Sequence, residues 1–299
     1  MKNIISTKPK VLVVLGPTSS GKSDVAVSIA KKVNGEIISA DSRQVYKGMD
    51  LGSGKITNKE MQGVPHHLLD VANPKNQFSV FKYKKLAEKK IEEILKRKKT
   101  PIICGGTGFY IDSITKNILI PEVKVNQKLR KELDRKDATE LISILKKLDP
   151  NRAKNIDINN KVRIIRAIEI AKSLGKVPEI KELPSRYGFI FIGLDLPDKE
   201  IKERIKKRLE KRLKLGMLNE IKKLHKEGVS WKRLESFGLE YKNCALFLKN
   251  KISSEEMKRN IETESWHYVK RQRTWFKRNK EIKWFEDKKE VLSYLKITN

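Results

Sequence analysis

Short unbroken apolar runs alternate along the chain with longer stretches in which apolar residues recur every three or four positions. Val11–Leu15 is wholly apolar and ends at Gly16-Pro17, the pattern of a strand buried on both faces of a parallel sheet. A helical period follows from Lys22 to Val33. Further strands are predicted at Glu36–Ala40, Pro101–Cys104, Gly188–Leu194 and Ile282–Phe285, with helical stretches between most of them. Such alternation predicts an α/β fold, a parallel sheet flanked by helices, with ligands beyond the C-terminal ends of the strands.

Between about Asn117 and Tyr187 the period changes. LRKELDRKDATELISILKKLDP and KVRIIRAIEIAKSLGK carry Leu and Ile at helical spacing, and no strand pattern separates them. This predicts a helical insertion domain, residues 117–187, inside a core made of residues 1–116 and 188–299. A helical pattern from Lys199 to Leu224 is interrupted at Gly216. No repeat, heptad array or low-complexity tether divides the chain further. The run Val11–Leu15 is too short to span a bilayer, and the residues around it lack a signal-peptide cleavage pattern, so the expectation is a cytoplasmic chain with no membrane segment, monomeric by default.

Charge changes the picture. Lys and Arg number 67 against 37 Asp and Glu, a formal charge of +30 on 299 residues. A field of that size points to a polyanion, because neutralised phosphates release condensed counterions. Eight basic and two acidic residues fall between Lys202 and Lys214, and six basic and no acidic ones between Tyr268 and Lys280, where Trp275 and Phe276 are interleaved. The second stretch suits phosphate contact with stacking, or packing of its aromatics on the core. The two cysteines, Cys104 and Cys244, stand in unrelated contexts, and the adjacent His66 and His67 have no partner cluster. Neither a zinc site nor a disulfide framework is expected, and the histidines read as scaffold.

Gly16, Pro17, Thr18, Ser19, Ser20, Gly21, Lys22 and Ser23 fit GxxxxGK[ST] between a predicted strand and a predicted helix, the context that makes the pattern a P-loop. Its glycines let backbone N–H groups close around phosphate oxygens, the helix N-terminus adds favourable potential, Lys22 brings a positive charge, and Ser23 can ligate Mg²⁺. A di- or triphosphate is the expected ligand. Asp41 directly follows the second predicted strand. It can hold Mg²⁺ through water, accept a proton from a nucleophile, or cap its own turn.

DSRQVYKGMD, VPHHLLDV and GGTGFYID, taken with GPTSSGKS, resemble the sequence blocks of the tRNA dimethylallyltransferase (isopentenyltransferase) family. The resemblance continues through NNKVRIIRAIE, ERIKKRLEKRLKLGMLNEI and YVKRQRTWFKR and covers nearly the whole chain in order. It implies that the loop and Mg²⁺ grip the pyrophosphate of dimethylallyl diphosphate, and that N6 of the adenosine 3′ to the anticodon of tRNA attacks the prenyl C1. Asp41 then matches the residue that takes the amine proton, and Arg208, with Arg204 as its neighbouring alternative, the arginine facing the leaving group. Asp41, Ser42, Arg43, Gln44, Thr107, Arg130 and the segment Val162, Arg163, Ile164, Ile165, Arg166 match positions that contact the anticodon stem-loop. One departure is Phe237-Gly-Leu-Glu-Tyr-Lys242, where the family usually has Ile-Gly-Tyr-Lys. No Cys-x-x-Cys with paired His precedes Asn299, so the resemblance is to the bacterial form. Alternatives on the same loop are a small-molecule kinase, an adenylate prenyltransferase and an RNA-binding ATPase. The charge argues against the kinase.

Overall fold

The computed structural model describes residues 8–179 and 181–297; the first seven residues, part of the stretch read above for a leader, lie outside the described residues. In chain order the elements are β1 (Lys10–Leu15), α1 (Lys22–Lys32), β2 (Gly35–Ser39), α2 (Asn58–Met61), β3 (His66–His67), α3 (Val80–Lys96), β4 (Thr100–Gly105), α4 (Gly108–Thr115), α5 (Gln127–Leu133), α6 (Ala138–Leu148), α7 (Pro150–Lys154) and α8 (Lys161–Leu174). There follow β5 (Gly188–Leu194), α9 (Asp198–Lys214), α10 (Met217–Lys226), α11 (Trp231–Ser236), α12 (Leu239–Leu248), α13 (Ser254–Phe276), β6 (Lys283–Phe285) and α14 (Lys288–Ile297). Ile118–Leu183 forms one compact unit and the remainder of the chain another.

The larger unit is built on one six-stranded sheet in the order β3-β2-β4-β1-β5-β6, with every pairing parallel. The β1 run explains its central place. Successive side chains of a strand point to opposite faces, so Val11, Val13 and Leu15 enter one core and Leu12 and Val14 the other. On the first face they meet Tyr83, Ile91 and Ile94 of α3 and Met217 and Ile221 of α10; on the second they meet Val25 and Ile29 of α1 and Val291 of α14. Because the strands are parallel, the segments that leave β1, β2, β4 and β5 all emerge at one sheet edge.

One strand escapes the sequence pattern. β3 is two residues long and pairs with β2 through Ile37 and His66, too short for any periodic signal. Its histidines are scaffold: His67 Nε2 lies 2.6 Å from Glu36 Oε2, and His66 Nδ1 lies 2.8 Å from the Val64 carbonyl. Burial opposes ionisation of Glu36, but hydrogen bonds from Arg97, His67 and Lys99 outweigh it and hold that carboxyl at about 2.

The smaller unit is a helical cluster, α5 to α8, around Leu129, Leu133, Leu141, Leu145, Ile164, Ile165 and Ile168. Here one expectation is corrected. Ile164 and Ile165 do not present side chains to a nucleic acid; the helical period turns them into this core, at 0% and 6% exposure. Arg130 and Arg166 pair with the buried Glu169, which accepts from Arg130 Nη2 at 2.8 Å, from the Asn126 N–H at 2.6 Å and from Arg166. A buried carboxylate demands such partners, and both arginine side chains stay partly exposed, at 22% and 33%. Val162 and Arg163, at the first turn of α8, stay exposed. Among the described residues no helix is long and apolar enough to cross a membrane.

Candidate active site

The loop from β1 to α1 makes its turn where side chains cannot follow. Gly16 has φ 153°, and a Cβ there would collide with the Leu194 carbonyl of β5, so only glycine lets the two backbones approach. Lys22 Nζ donates to the Pro17 carbonyl at 3.1 Å and closes the loop. Burial lowers the pKa of this ammonium; Cys104 and Asp41 pull against that shift, and Arg208 adds to it. Among the described residues the buried Ser19 and Ser20 hydroxyls have no hydrogen-bond partner. Two orphaned hydroxyls in a loop closed by a lysine form a cradle that lacks its acceptor, which is what a phosphate oxygen supplies. Ser23 lies exposed at the start of α1.

Arg208 reaches this loop from α9 and donates through Nη2 to Thr18 Oγ1 at 2.6 Å. Burial, then neighbouring Arg212, brings its pKa down to about 9, with Glu240 and Asp41 acting in the other direction. Glu240 does not quench it, since that carboxylate pairs with Arg212 at 3.0 Å. Arg204 is exposed and paired with Glu200 at 2.6 Å. Of the two candidate arginines, Arg208 is the one bonded to the loop.

Asp41 leaves β2 on the same edge. Its Oδ1 accepts from the N–H groups of Arg43 at 2.8 Å and Gln44 at 3.3 Å, so the carboxylate does cap its own turn. Among the described residues Oδ2 takes no hydrogen bond, which leaves one oxygen of a held carboxylate for a ligand. Thr107, after β4, accepts from the Ser42 N–H at 3.0 Å and donates its own N–H to the Ala40 carbonyl at 3.1 Å. Arg43 Nε donates to the Phe237 carbonyl at 2.8 Å, and Gln44 spans Ser39 Oγ at 3.3 Å and the Gly54 carbonyl at 3.1 Å. These two side chains brace the Asp41 turn. The departure at Phe237 bears on Arg43 through its carbonyl, which any residue there would offer, and through its ring, whose centroid lies 5.6 Å from the Arg43 guanidinium.

The sequence reading missed two residues of α13. Tyr268 stands beside Thr107, and burial, with Asp41 adding to it, pushes its hydroxyl up to about 12. Gln272 joins the loop at Thr18 to the segment after β4. They lie four apart, on one helix face, inside the basic stretch whose charge drew attention instead. Among the described residues no cluster of three acidic, histidine or cysteine groups is arranged to hold a metal.

Comparison with known proteins bears on the family. The IPP transferase family model matches residues 44–279. The chain is 44% identical to tRNA dimethylallyltransferase 2 of Treponema denticola over 275 residues, which cover 90% of this chain and 92% of that one. It is 39% identical to the tRNA dimethylallyltransferase of Acetivibrio thermocellus, covering 88% of this chain and 87% of that one. Among solved structures, the tRNA isopentenylpyrophosphate transferase of Staphylococcus epidermidis aligns with a TM-score of 0.71 at 34% identity, over 97% of this chain and 98% of that one. A eukaryotic dimethylallyltransferase acting on tRNA aligns at 0.78 with 26% identity, over 93% and 74%. A parallel sheet carrying the GxxxxGKS loop and Asp41 at one edge, a family match over most of the chain and relatives well above 30% identity place this protein in the IPP transferase family.

Proposed function

We propose that this chain transfers the dimethylallyl group of dimethylallyl diphosphate to N6 of the adenosine 3′ to the anticodon of tRNA and releases diphosphate. The observation that carries this reading is the pairing at one sheet edge of a loop with orphaned hydroxyls and a carboxylate with one unbonded oxygen. The first suits a leaving pyrophosphate and the second a proton. N6 attacks the prenyl C1 as the C–O bond breaks, the bonding pair leaves with the pyrophosphate, and the N6 proton passes to Asp41 Oδ2. Lys22, Arg208 and the loop's backbone N–H groups meet the charge that develops on the departing oxygen, where fixed donors in a dry site act most strongly.

Ser23 Oγ, exposed at the head of α1, fits Mg²⁺ as a single protein ligand, the usual case when phosphate oxygens and water supply the rest. Bound there, Mg²⁺ would neutralise further charge on the diphosphate. The relatives named for a tRNA substrate, together with the net charge of +30, favour RNA over a free adenylate as acceptor. In the α8 segment the exposed Val162 and Arg163 and the partly exposed Arg166 are left to face it. We place the reaction in the cytoplasm. One chain carries every group the chemistry needs, so a monomer suffices.

Labelled dimethylallyl diphosphate with Mg²⁺ and, separately, bulk tRNA, AMP or ATP tests this assignment. Label recovered as N6-prenyladenosine from digested tRNA supports it; label on AMP moves it to adenylate prenyl transfer, and no label in any arm sinks it. Binding of tRNA is also expected to weaken steeply with salt, by roughly 0.7 to 0.9 in log–log slope per phosphate neutralised. A flat salt titration by filter binding contradicts the RNA reading.

A further inference from the structure

The buried face of α13 runs Met257, Ile261, Ser265, Val269, Gln272, Phe276. The one long polar side chain in that stripe, Gln272, is 5% exposed. An amide carried into an apolar interior costs free energy unless both its ends are bonded, and here both are. Gln272 Oε1 accepts from the Thr18 N–H at 2.9 Å, and Nε2 donates to the Gly106 carbonyl at 2.8 Å. Packing alone would be served by a Leu or Met in that register.

The two partners are not equivalent pieces of scaffold. Thr18 is the loop residue whose hydroxyl takes Arg208, so its backbone is held by Gln272 and its side chain by the arginine. Gly106 immediately precedes Thr107, which bonds the Ser42 N–H next to Asp41. One carboxamide thus spans the loop that meets the leaving group and the segment that fixes the proton acceptor.

We infer that Gln272 is a positioning residue for the prenyl donor: its carboxamide sets the Thr18 peptide, and with it the landing point of Arg208, against the Gly106 carbonyl. The assignment rests on the diphosphate reading above. It also names a second way to break the same tie. A Cβ on Gly106 would collide with the Gln272 carboxamide nitrogen, the far end of a flexible side chain, so Gly106→Ala displaces that amide at little cost to the surrounding backbone.

The test uses inorganic pyrophosphate with Mg²⁺ as the probe, measured by calorimetry on the full chain, alongside steady-state kinetics and tRNA filter binding. Gln272→Met and Gly106→Ala should each weaken pyrophosphate binding on the order of tenfold, the scale of one to two neutral hydrogen bonds. KM for dimethylallyl diphosphate should rise by a similar factor, with a smaller fall in kcat and no change in tRNA affinity. Because both substitutions cut one tie, the double variant should be no worse than the weaker-binding single one. Unchanged pyrophosphate affinity in either folded variant, or strictly additive losses, overturns the assignment. If the unsubstituted protein binds no pyrophosphate, the diphosphate reading falls first and this assignment with it.

Discussion

Asp41→Asn is expected to lower prenyl transfer by on the order of a hundredfold or more, the usual scale for a group that moves a proton in the rate-limiting step, while tRNA affinity stays close to that of the unsubstituted protein. The asparagine is chosen because Asp41 has two jobs in this structure. Its Oδ1 holds the turn through the Arg43 and Gln44 N–H groups, and an amide oxygen can continue to do that. What the amide cannot do is accept the N6 proton. Asp41→Ala removes both functions and should add about 1 kcal/mol of destabilisation from the lost turn bonds. Single-turnover transfer with pre-bound tRNA and thermal melting separate the two effects. If the asparagine variant transfers at the native rate, Asp41 is a turn cap and the base must be sought elsewhere.

Arg208→Met is expected to lower kcat/KM by two to three orders of magnitude, in the range found when one donor to a developing oxyanion is removed. The variant should nevertheless melt no lower than the native protein. The sign follows from the cause of its shifted pKa. Burial and Arg212 bring Arg208 down to about 9, below the ordinary guanidinium value, so the folded state disfavours its charge. That cost is present at neutral pH and is relieved only as the pH rises past the folded value, or when the charge is deleted. Stability is thus spent on a cation aimed at the loop, a trade commonly seen at active sites. Arg208→Lys should not rescue, because a point charge on a different stem does not reproduce the fork that meets Thr18 Oγ1. Arg204→Met should change kcat/KM less than threefold, about 0.6 kcal/mol by the tenfold-per-1.4 rule, since its partner is the exposed Glu200. Equal losses at the two arginines would show that the charge of α9 as a whole, rather than Arg208, serves the reaction. A clear drop in melting temperature for Arg208→Met would instead mark that residue as structural.

The parts of this protein legible in its sequence are those written in local pattern. The apolar run at Val11–Leu15, the loop between a strand and a helix, the change of period near Asn117 and the break at Gly216 each lie within a few residues of chain, where backbone geometry and side-chain period act directly. Those features suffice for a parallel sheet with its ligand edge, a phosphate-type loop and a helical insertion. The two-residue β3 was illegible because it has no period to show. The inward turn of Ile164 and Ile165 was written in the helical spacing, but was outweighed by a family match that treats the whole segment as contact surface.

What only the tertiary structure decided are the pairings between distant positions. Nothing near Arg204 and Arg208 in sequence says which one reaches Thr18, 190 residues from Arg208, and nothing near Gln272 says that its amide closes on Thr18 and Gly106, 254 and 166 residues away. Side-chain type and helical register state what a residue can donate or accept; which donor meets which acceptor depends on how the sheet brings β1, β4, α9 and α13 together. Local sequence therefore determined the elements and the chemistry available, and the packing of those elements decided which groups became the site.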